Sequence, residues 1–580
     1  PVRAVAQPRW ADKHRRTGPA LILTPALAIY GLFVLWPLIQ VVWLALQRWD
    51  GYGPQSFVGL GNFGSLFRDS LFRTTLLHSV LWEVAGALIS TLIGLGIALL
   101  VTHAARRSVF LAIFFFPALL PATVVAAVWT LVYSPLSGLL NTLLVDAGLQ
   151  GLTRAWLGDP GLALPALFIA WAWSAVGVGT LVLWTSMSTI EREYTEVALV
   201  EGAGPVWRTV HVILPAIRRS AALAVLINAA LAAQVFDLVF VTTGGGPGYA
   251  TVLLPIDLYG RAFGGHTGQG AAVGCLQVLL GILLALGALL AIRRGDDGMH
   301  GEPAPRAARR LPTLSLCVLA VVLVAPIAWL VLVALGAGNL TPGVPSPSLN
   351  PASWGWSNFS TAWQSGMSGA MGASALLALA ATLGTVTLAL AAAWGLRTLK
   401  LPAPLSGALI VLLLLGLFQP TPVLIIPLFA LLRTLGLLDS AWGILLPEIG
   451  RNMPFAILLL WASLAQAPRE VFEASAVDGA GWMQQLIRIA IPLIRPGLLA
   501  AAVWSFITSW NEYLLPTLVS QDGSIQTVPT LLATFVGNYD TQYGLLAAGA
   551  LLALAPSLLV YVVLRRPSGR GLARLERRRT

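Results

Sequence analysis

EVALVEGAGPVWRTVHVILPAIR (residues 196–218) and EASAVDGAGWMQQLIRIAIPLIR (residues 473–495) are two copies of one pattern. At a single constant offset Glu196 stands over Glu473, Glu201 over Asp478, Gly202-Ala203-Gly204 over Gly479-Ala480-Gly481, Pro215 over Pro492 and Arg218 over Arg495, while Arg208 and Arg488 fall out of register. Self-similarity at fixed spacing marks a duplicated structural unit. Each copy opens on an Ala- and Val-rich stretch preceded by acidic residues (Glu191, Glu193; Glu470), which favour a helix N-terminus. Gly-Ala-Gly then ends the helix and permits a sharp turn. A basic stretch follows and runs to a proline where an apolar block begins. One copy alone is explained about as well by an ordinary amphipathic loop helix; two copies at matching places in two halves are not.

The surroundings of the repeat set the fold class. The chain of 580 residues is 57% hydrophobic and only 10% charged, whereas a soluble domain is about 25% charged. So few charges could not cover a water-facing surface. About 20 apolar residues cross a bilayer as a helix. Such blocks run near 20–46, 75–102, 109–134, 162–187, 217–243 and 271–292, then near 311–335, 369–396, 408–432, 441–466, 498–519 and 545–564. The expectation is an all-α integral membrane protein with about twelve transmembrane helices in two homologous six-helix domains. The first domain covers 1–292 and the second 311–580, joined by a polar linker over 293–310, RRGDDGMHGEPAPRAARR. The first block is too long for a signal-peptide core and reads as a retained span. Block 408–432, with Pro420, Pro422 and Pro427, is expected to kink or break, and block 109–134 carries Pro117 and Pro121.

The net charge of +11 does not indicate nucleic acid. The chain has two lysines, Lys13 and Lys400, and its arginines sit in short clusters between apolar blocks, with no long basic face. Their placement instead orients the spans. With the N-terminus inside, only Arg48, Arg68, Arg73, Arg154, Arg261, Arg433 and Arg451 fall outside, a roughly fourfold excess of positive charge on the inner side. Both termini are then cytoplasmic, and the Arg-rich tail after Arg565 is a membrane-surface or topology signal. Cys275 and Cys317 lie inside apolar blocks and support neither a disulfide framework nor a metal site. The six histidines (His14, His78, His103, His211, His266, His300) are scattered. Trp36, Trp43 and Trp129, near span ends, read as interface anchors.

The paired segments resemble the EAA loop, or coupling helix, of ATP-binding cassette importer permeases. That pattern has Glu-Ala-Ala, an acidic residue with Gly-Ala, and farther on an apolar residue and a proline. The first copy departs at Val197 and the second at Ser475. Other stretches are similar to the carbohydrate branch, the maltose- and glycerol-3-phosphate-type permeases. FVGLGNFGSLFRDSLF from Phe57, and VTTGGGPGYAT from Val241 followed by LYGRAF, resemble the first permease of such pairs. IPLFALLRTLGLLDSAWGILLP from Ile426 and SWNEYLLP from Ser509 resemble the second. His78-Ser79 stands where the family usually has Asn-Thr. The resemblance implies a fused pair of permeases with coupling helices near 191–204 and 468–481. It implies an ATPase-coupling role for Glu196, Ala198, Glu201, Gly202, Glu473, Ala474, Asp478 and Gly479. It further implies two ATPase subunits carrying ATP and Mg, a solute-binding protein outside meeting loops such as 244–270, a bacterial or archaeal cytoplasmic membrane, and a sugar-like solute.

The residues agree on the division of labour. No G-x-x-x-x-G-K-[ST] occurs, nor any Gly-Lys pair, so ATP hydrolysis falls to separate subunits, and no cofactor is expected on this chain. Polar groups inside spans are costly and face a cavity or another helix. Glu83 and Asn228 are such groups, and the candidates for the substrate pathway are Gln234, Asp237, Trp510, Asn511, Glu512 and Tyr513. At the repeat offset Gln234 matches Asn511, and Trp510–Tyr513 offers amide, carboxylate and aromatic faces to a sugar. Hydrogen bonding between helices is the competing role. No arginine is expected deep in a span, which leans toward a neutral solute. An ion-coupled secondary transporter of twelve spans would fit the span count equally, but does not predict the paired Glu…Gly-Ala-Gly segments. A membrane enzyme should show a clustered acidic or metal site, and none is present in the sequence.

Overall fold

The computed structural model describes residues 21–190, 192–293, 310–336, 347, 350–399, 402–417, 419–536 and 541–559. The expected linker between Arg293 and Arg310, and the basic tail, lie outside the described residues. The described chain is almost wholly helical, because helices satisfy every backbone N–H and C=O inside one apolar segment. Two-residue strands, Gln47–Arg48 and Ser56–Phe57, pair antiparallel. Among the described residues eight helices are long and apolar enough to cross a membrane, or up to ten if each of two bent pairs is one span. Shorter apolar helices cover Pro404–Leu413, Thr421–Thr434 and Tyr543–Leu559.

The expected breaks have local causes. Arg107–Leu119 and Ala122–Val132 meet at 98°. Between them Leu120 has ψ 139 and Pro121 ψ 141, because proline excludes the helical conformation from the residue before it. Block 408–432 is likewise two helices, Ala403–Leu417 and Thr421–Thr434, parted next to Pro420.

The chain divides into two compact units that do not coincide with the sequence halves. One unit combines the first helix, through Trp43, with Gly369–Gln419 and Leu424–Thr527. In the first helix, Leu23, Ala26, Tyr30, Phe33 and Val34 form a buried stripe at helical spacing. This stripe packs into a core with Leu377, Leu424, Ile449 and Met453. The Tyr30 hydroxyl donates to the Leu412 carbonyl at 2.7 Å. Gly450 lets the two backbones close up: a Cβ there would lie 3.4 Å from the Ile29 carbonyl oxygen and 3.5 Å from the Phe33 Cβ.

The other unit combines Leu44–Ser368 with Pro420–Val423 and the chain from Val528. Ser70–Thr102 and Ala163–Ser188 approach through small residues, and a Cβ on Gly94 would come within 2.9 Å of the Thr180 nitrogen. The helix Arg310–Leu335, first of the second half, packs here. Its Leu316 and Leu323 join Ile97, Phe110, Phe114 and Val176, and the Trp173 indole donates to the Leu323 carbonyl at 2.9 Å. Each half thus lends its first helix to the unit holding most of the other half. Trp36 and Trp43 are exposed. Trp129 is not: it is buried, with Tyr133 at 5.0 Å and Trp173 at 6.0 Å between ring centroids.

The exchanged first helix is checked by a cysteine pair. With Cys275 and Cys317 replaced by alanine and a protease site placed within 294–309, Phe33→Cys plus Gly450→Cys should form a disulfide under mild oxidant. A Cβ separation of 3.5 Å suits one. The cut halves should then migrate as one species until reduced. Halves that separate without reduction would contradict this packing.

Candidate functional site

The repeated sequence folds as a repeated backbone. The first copy forms a nine-residue helix, Arg192–Val200, and the second Arg469–Val477. Each ends in the same way. Gly202 has φ +79 and Gly479 φ +83, a conformation that costs glycine little and other residues much. The Ala203 amide reaches the Ala198 carbonyl at 2.9 Å and the Gly202 amide reaches Leu199 at 3.1 Å. Ala480 to Ser475 (2.9 Å) and Gly479 to Ala476 (3.2 Å) repeat this pair, a Schellman end in both copies. Short helices follow, Pro205–Arg208 and Trp482–Gln485, each running into a π-helical turn, Thr209–Ile213 and Leu486–Ala490. The chain then bends at Ile217 and Ile494 into Arg218–Ala233 and Arg495–Trp510. In the second copy the bend is 80°.

These helices present apolar side chains without covering them. Val200 is 86% exposed and Val477 88%, with Val197, Leu199 and Val471 exposed beside them. The acids Glu196, Glu201, Glu473 and Asp478 are exposed too, as is Ala474, whereas Ala198 is buried against its own unit. An apolar strip edged by carboxylates suits a protein partner. In the second copy the Gln485 amide donates to the Phe472 carbonyl (3.2 Å) and to the Ser475 hydroxyl (3.1 Å), tying the helix to the turn behind it. The departure at Ser475 therefore has a structural use.

The fifth span of each half is broken at matching places. Arg218–Ala233 stops at Gln234 and resumes as Asp237–Thr242; Arg495–Trp510 stops at Asn511 and resumes as Leu514–Val519. Freed backbone groups at membrane depth need partners. Glu512 supplies one: its carboxylate accepts from the Leu515 amide at 3.1 Å, at the positive end of the resumed helix. Its other oxygen pairs with Arg451. One turn away, the Ser509 hydroxyl donates to Glu448, a carboxylate only 1% exposed. Glu448 and Arg451 thus form two rungs from the middle of the helix Ala441–Ala465 to the break. Arg451, expected outside the membrane, lies within a span, and the expectation of no arginine deep in a span is corrected. Counting it outside conflicts with the apolar block 441–466, which contains it. The signal available was the Glu448–Arg451 spacing, which puts both groups on one helix face.

The remaining candidates fall differently. Trp510 is 1% exposed and Tyr513 is buried, so their rings serve packing here; Trp510 stacks on Phe506 with centroids 6.1 Å apart. Asn511 is half-buried, and Gln234 is exposed with its amide turned back to the Ala230 carbonyl at 3.1 Å. Asp237 opens its short helix. Glu83 and Asn228 bond between helices, to Gln277 at 2.8 Å and Thr91 at 3.0 Å. Ser79, one of the departures from the family pattern, accepts from the Leu254 amide at 2.7 Å. In the stretch 244–270, Arg261 bridges Asp257 (2.9 Å), Asp69 (2.6 Å) and Gln269 (2.9 Å). The Arg261 hydrogen bond holds the Asp69 carboxyl below its ordinary range, while burial pushes Asp257 up despite the same guanidinium. No group of metal-ligating side chains occurs among the described residues.

Comparison with known proteins matches this duplication. The family described as "Binding-protein-dependent transport system inner membrane component" matches residues 90–294 and again 385–568. The chain is similar to the probable ABC transporter permease protein YurN of Bacillus subtilis, 32% identical over 48% of this chain and 97% of that protein. It is similar to the diacetylchitobiose uptake system permease protein NgcF of Streptomyces coelicolor, 31% identical over 48% and 83%. It is also similar to the trehalose/maltose transport system permease protein MalF of Thermococcus litoralis, 29% identical over 45% and 88%. Each relative is spanned over most of its length by about half of this chain.

Removing one partner of a buried ion pair costs about 3–5 kcal/mol, because the other charge is stranded. Arg451→Met should therefore destabilise the protein by about 3 kcal/mol, and Arg451→Met with Glu512→Gln should recover most of that. Denaturant unfolding in detergent of wild type, both single variants and the double variant reads the coupling. Additive losses would contradict the pairing.

Proposed function

Because the chain belongs, in both its halves, to the family of binding-protein-dependent transport system inner membrane components, we propose that it is the fused transmembrane permease subunit of an ATP-driven importer for a sugar or sugar-like solute. The observation that carries this reading is the recurrence of the same exposed helix, glycine turn and bent span in both halves. Two such helices serve two ATPase subunits, identical or not, which hold ATP and Mg; this chain has no phosphate-binding loop of its own. A solute-binding protein delivers the solute at the opposite face, where the Arg261 cluster stiffens the stretch 244–270. Both termini and both coupling helices lie in the cytoplasm, as the arginine distribution favours.

The mechanism follows from continuity of the chain. Each coupling helix leads through a π-helical turn and a bend directly into the broken fifth span. Closure of an ATPase dimer displaces the coupling helices. The Schellman end keeps the helix-to-turn angle fixed, so the displacement passes to the span rather than being absorbed at the turn. The break at Gln234–Asp237 and at Asn511–Leu514 is where a span yields without losing its hydrogen bonding. A sugar-like solute is supported by the relatives named for diacetylchitobiose and for trehalose and maltose. Arg451 does not argue for an anionic solute, because Glu512 neutralises it. The paired segments and the family match favour this reading over an ion-coupled transporter.

Gly202→Asp with Gly479→Asp places a side chain at positive φ in both turns, although a Cβ meets nothing within 4 Å. The double variant should fold and insert, yet recover much less ATP-binding cassette subunit than wild type in a pull-down from native membranes. An undiminished yield of ATPase with the double variant, or none with well-folded wild type, would overturn the reading.

A further inference from the structure

The second coupling helix forms one wall of a cavity of about 580 Å³ that the transport mechanism does not use. Two helical stripes build its depth. Ile457, Trp461 and Ala465 lie four residues apart on Ala441–Ala465, and Ser406, Leu409 and Leu413 follow the same face of Ala403–Leu417. At 1.5 Å per residue, Ile457 to Ala465 spans roughly 12 Å along the helix axis. The inner wall is apolar, and Leu405 and Val411 are exposed on Ala403–Leu417, so that helix stands at the surface of its unit.

The mouth is different. Arg397, from the last turn of Ser368–Thr398, and Arg469, from the first turn of the coupling helix, both line it and repel one another. Arg397 is held: its guanidinium lies 4.2 Å from the centre of the Phe472 ring and donates to the Leu464 carbonyl. Arg469 is exposed and has no ion-pair partner among the described residues. Glu473 also lines the mouth, but its exposed carboxylate pairs with neither arginine among the described residues. Two guanidinium groups lining one mouth above an apolar cleft match an amphiphile with an anionic head, since arginine binds phosphate in a two-pronged fashion. The volume suits one acyl chain and a headgroup.

We propose that this cavity binds an anionic phospholipid of the surrounding bilayer, its phosphate across Arg397 and Arg469 and one acyl chain along Leu409, Leu413 and Ile457. The lipid ties the first turn of the coupling helix to the end of the helix Ser368–Thr398 and so makes ATPase docking sensitive to lipid composition. At the repeat offset Thr195 stands where Phe472 does, so the first copy carries no ring at that position. Only the regulatory consequence rests on the coupling-helix reading; lipid binding is measured on the permease alone, so the two fail separately.

The test is native mass spectrometry of the purified chain with equal phosphatidylglycerol and phosphatidylcholine. Wild type should retain phosphatidylglycerol about tenfold over phosphatidylcholine. Arg397→Ala with Arg469→Ala should abolish the preference, and Leu409→Trp, which fills the cleft and keeps both arginines, should lose the lipid as well. Equal retention of the two lipids by wild type would overturn the proposal. So would an unchanged preference in the arginine variant, or displacement of the lipid by millimolar inorganic phosphate, which would mark a site for free anions. Should the arginine variant fail to fold, the wild-type headgroup preference and Leu409→Trp still decide.

Discussion

A glycine at positive φ closes each of the two repeated helices, Arg192–Val200 and Arg469–Val477, and the rest of the molecule is arranged behind that turn. Gly202 and Gly479 let the chain reverse while the helix's last carbonyls stay bonded. A helix end left to fray would dissipate any push applied to it. Closed in this way, the short helix, the π-helical turn and the bend at Ile217 or Ile494 form one continuous piece leading into the membrane. The exposed valines and leucines on the helix are then the surface that the proposed ATPase subunits would cover.

The membrane sets the second constraint. A span that must yield has to break, and a break exposes polar backbone where water is absent. In the second half Glu512 resolves this by capping the resumed helix, and Arg451 neutralises the carboxylate so used. Glu448 and Ser509 add a second rung one turn away. In the first half the polar groups of neighbouring spans, Glu83 with Gln277 and Asn228 with Thr91, are spent on joining helices. The halves therefore share a backbone plan but not a polar one, as two separately specialised permeases joined in one chain would.

Much of this was legible in the sequence because its signals are local. Apolar blocks of span length, prolines at breaks, and a glycine between two helices depend only on neighbouring residues. The repeat at Glu196 and Glu473 revealed the two exposed helices because duplication preserves spacing. What escaped depends on tertiary partners. Arg451 was counted with the outside charges because its neutralising carboxylate lies far away in the chain. Trp129 looked like an interface anchor because Trp173, which packs against it alongside the neighbouring Tyr133, lies far away in the chain. The exchange of first helices was invisible for the same reason: the stripe from Leu23 to Val34 marks a buried face without naming what covers it.

The central claim is that the two coupling helices move with the nucleotide state of bound ATPase subunits. The most direct measurement is the distance between spin labels at Val200→Cys and Val477→Cys, read by pulsed electron resonance. It would use a background without Cys275 and Cys317, and the chain reconstituted with its ATPase in lipid nanodiscs. Both positions are open to labelling. The distance distribution should shift to shorter values when ATP is trapped and return when nucleotide is removed. A distribution indifferent to ATP in a complex that hydrolyses it would contradict the account.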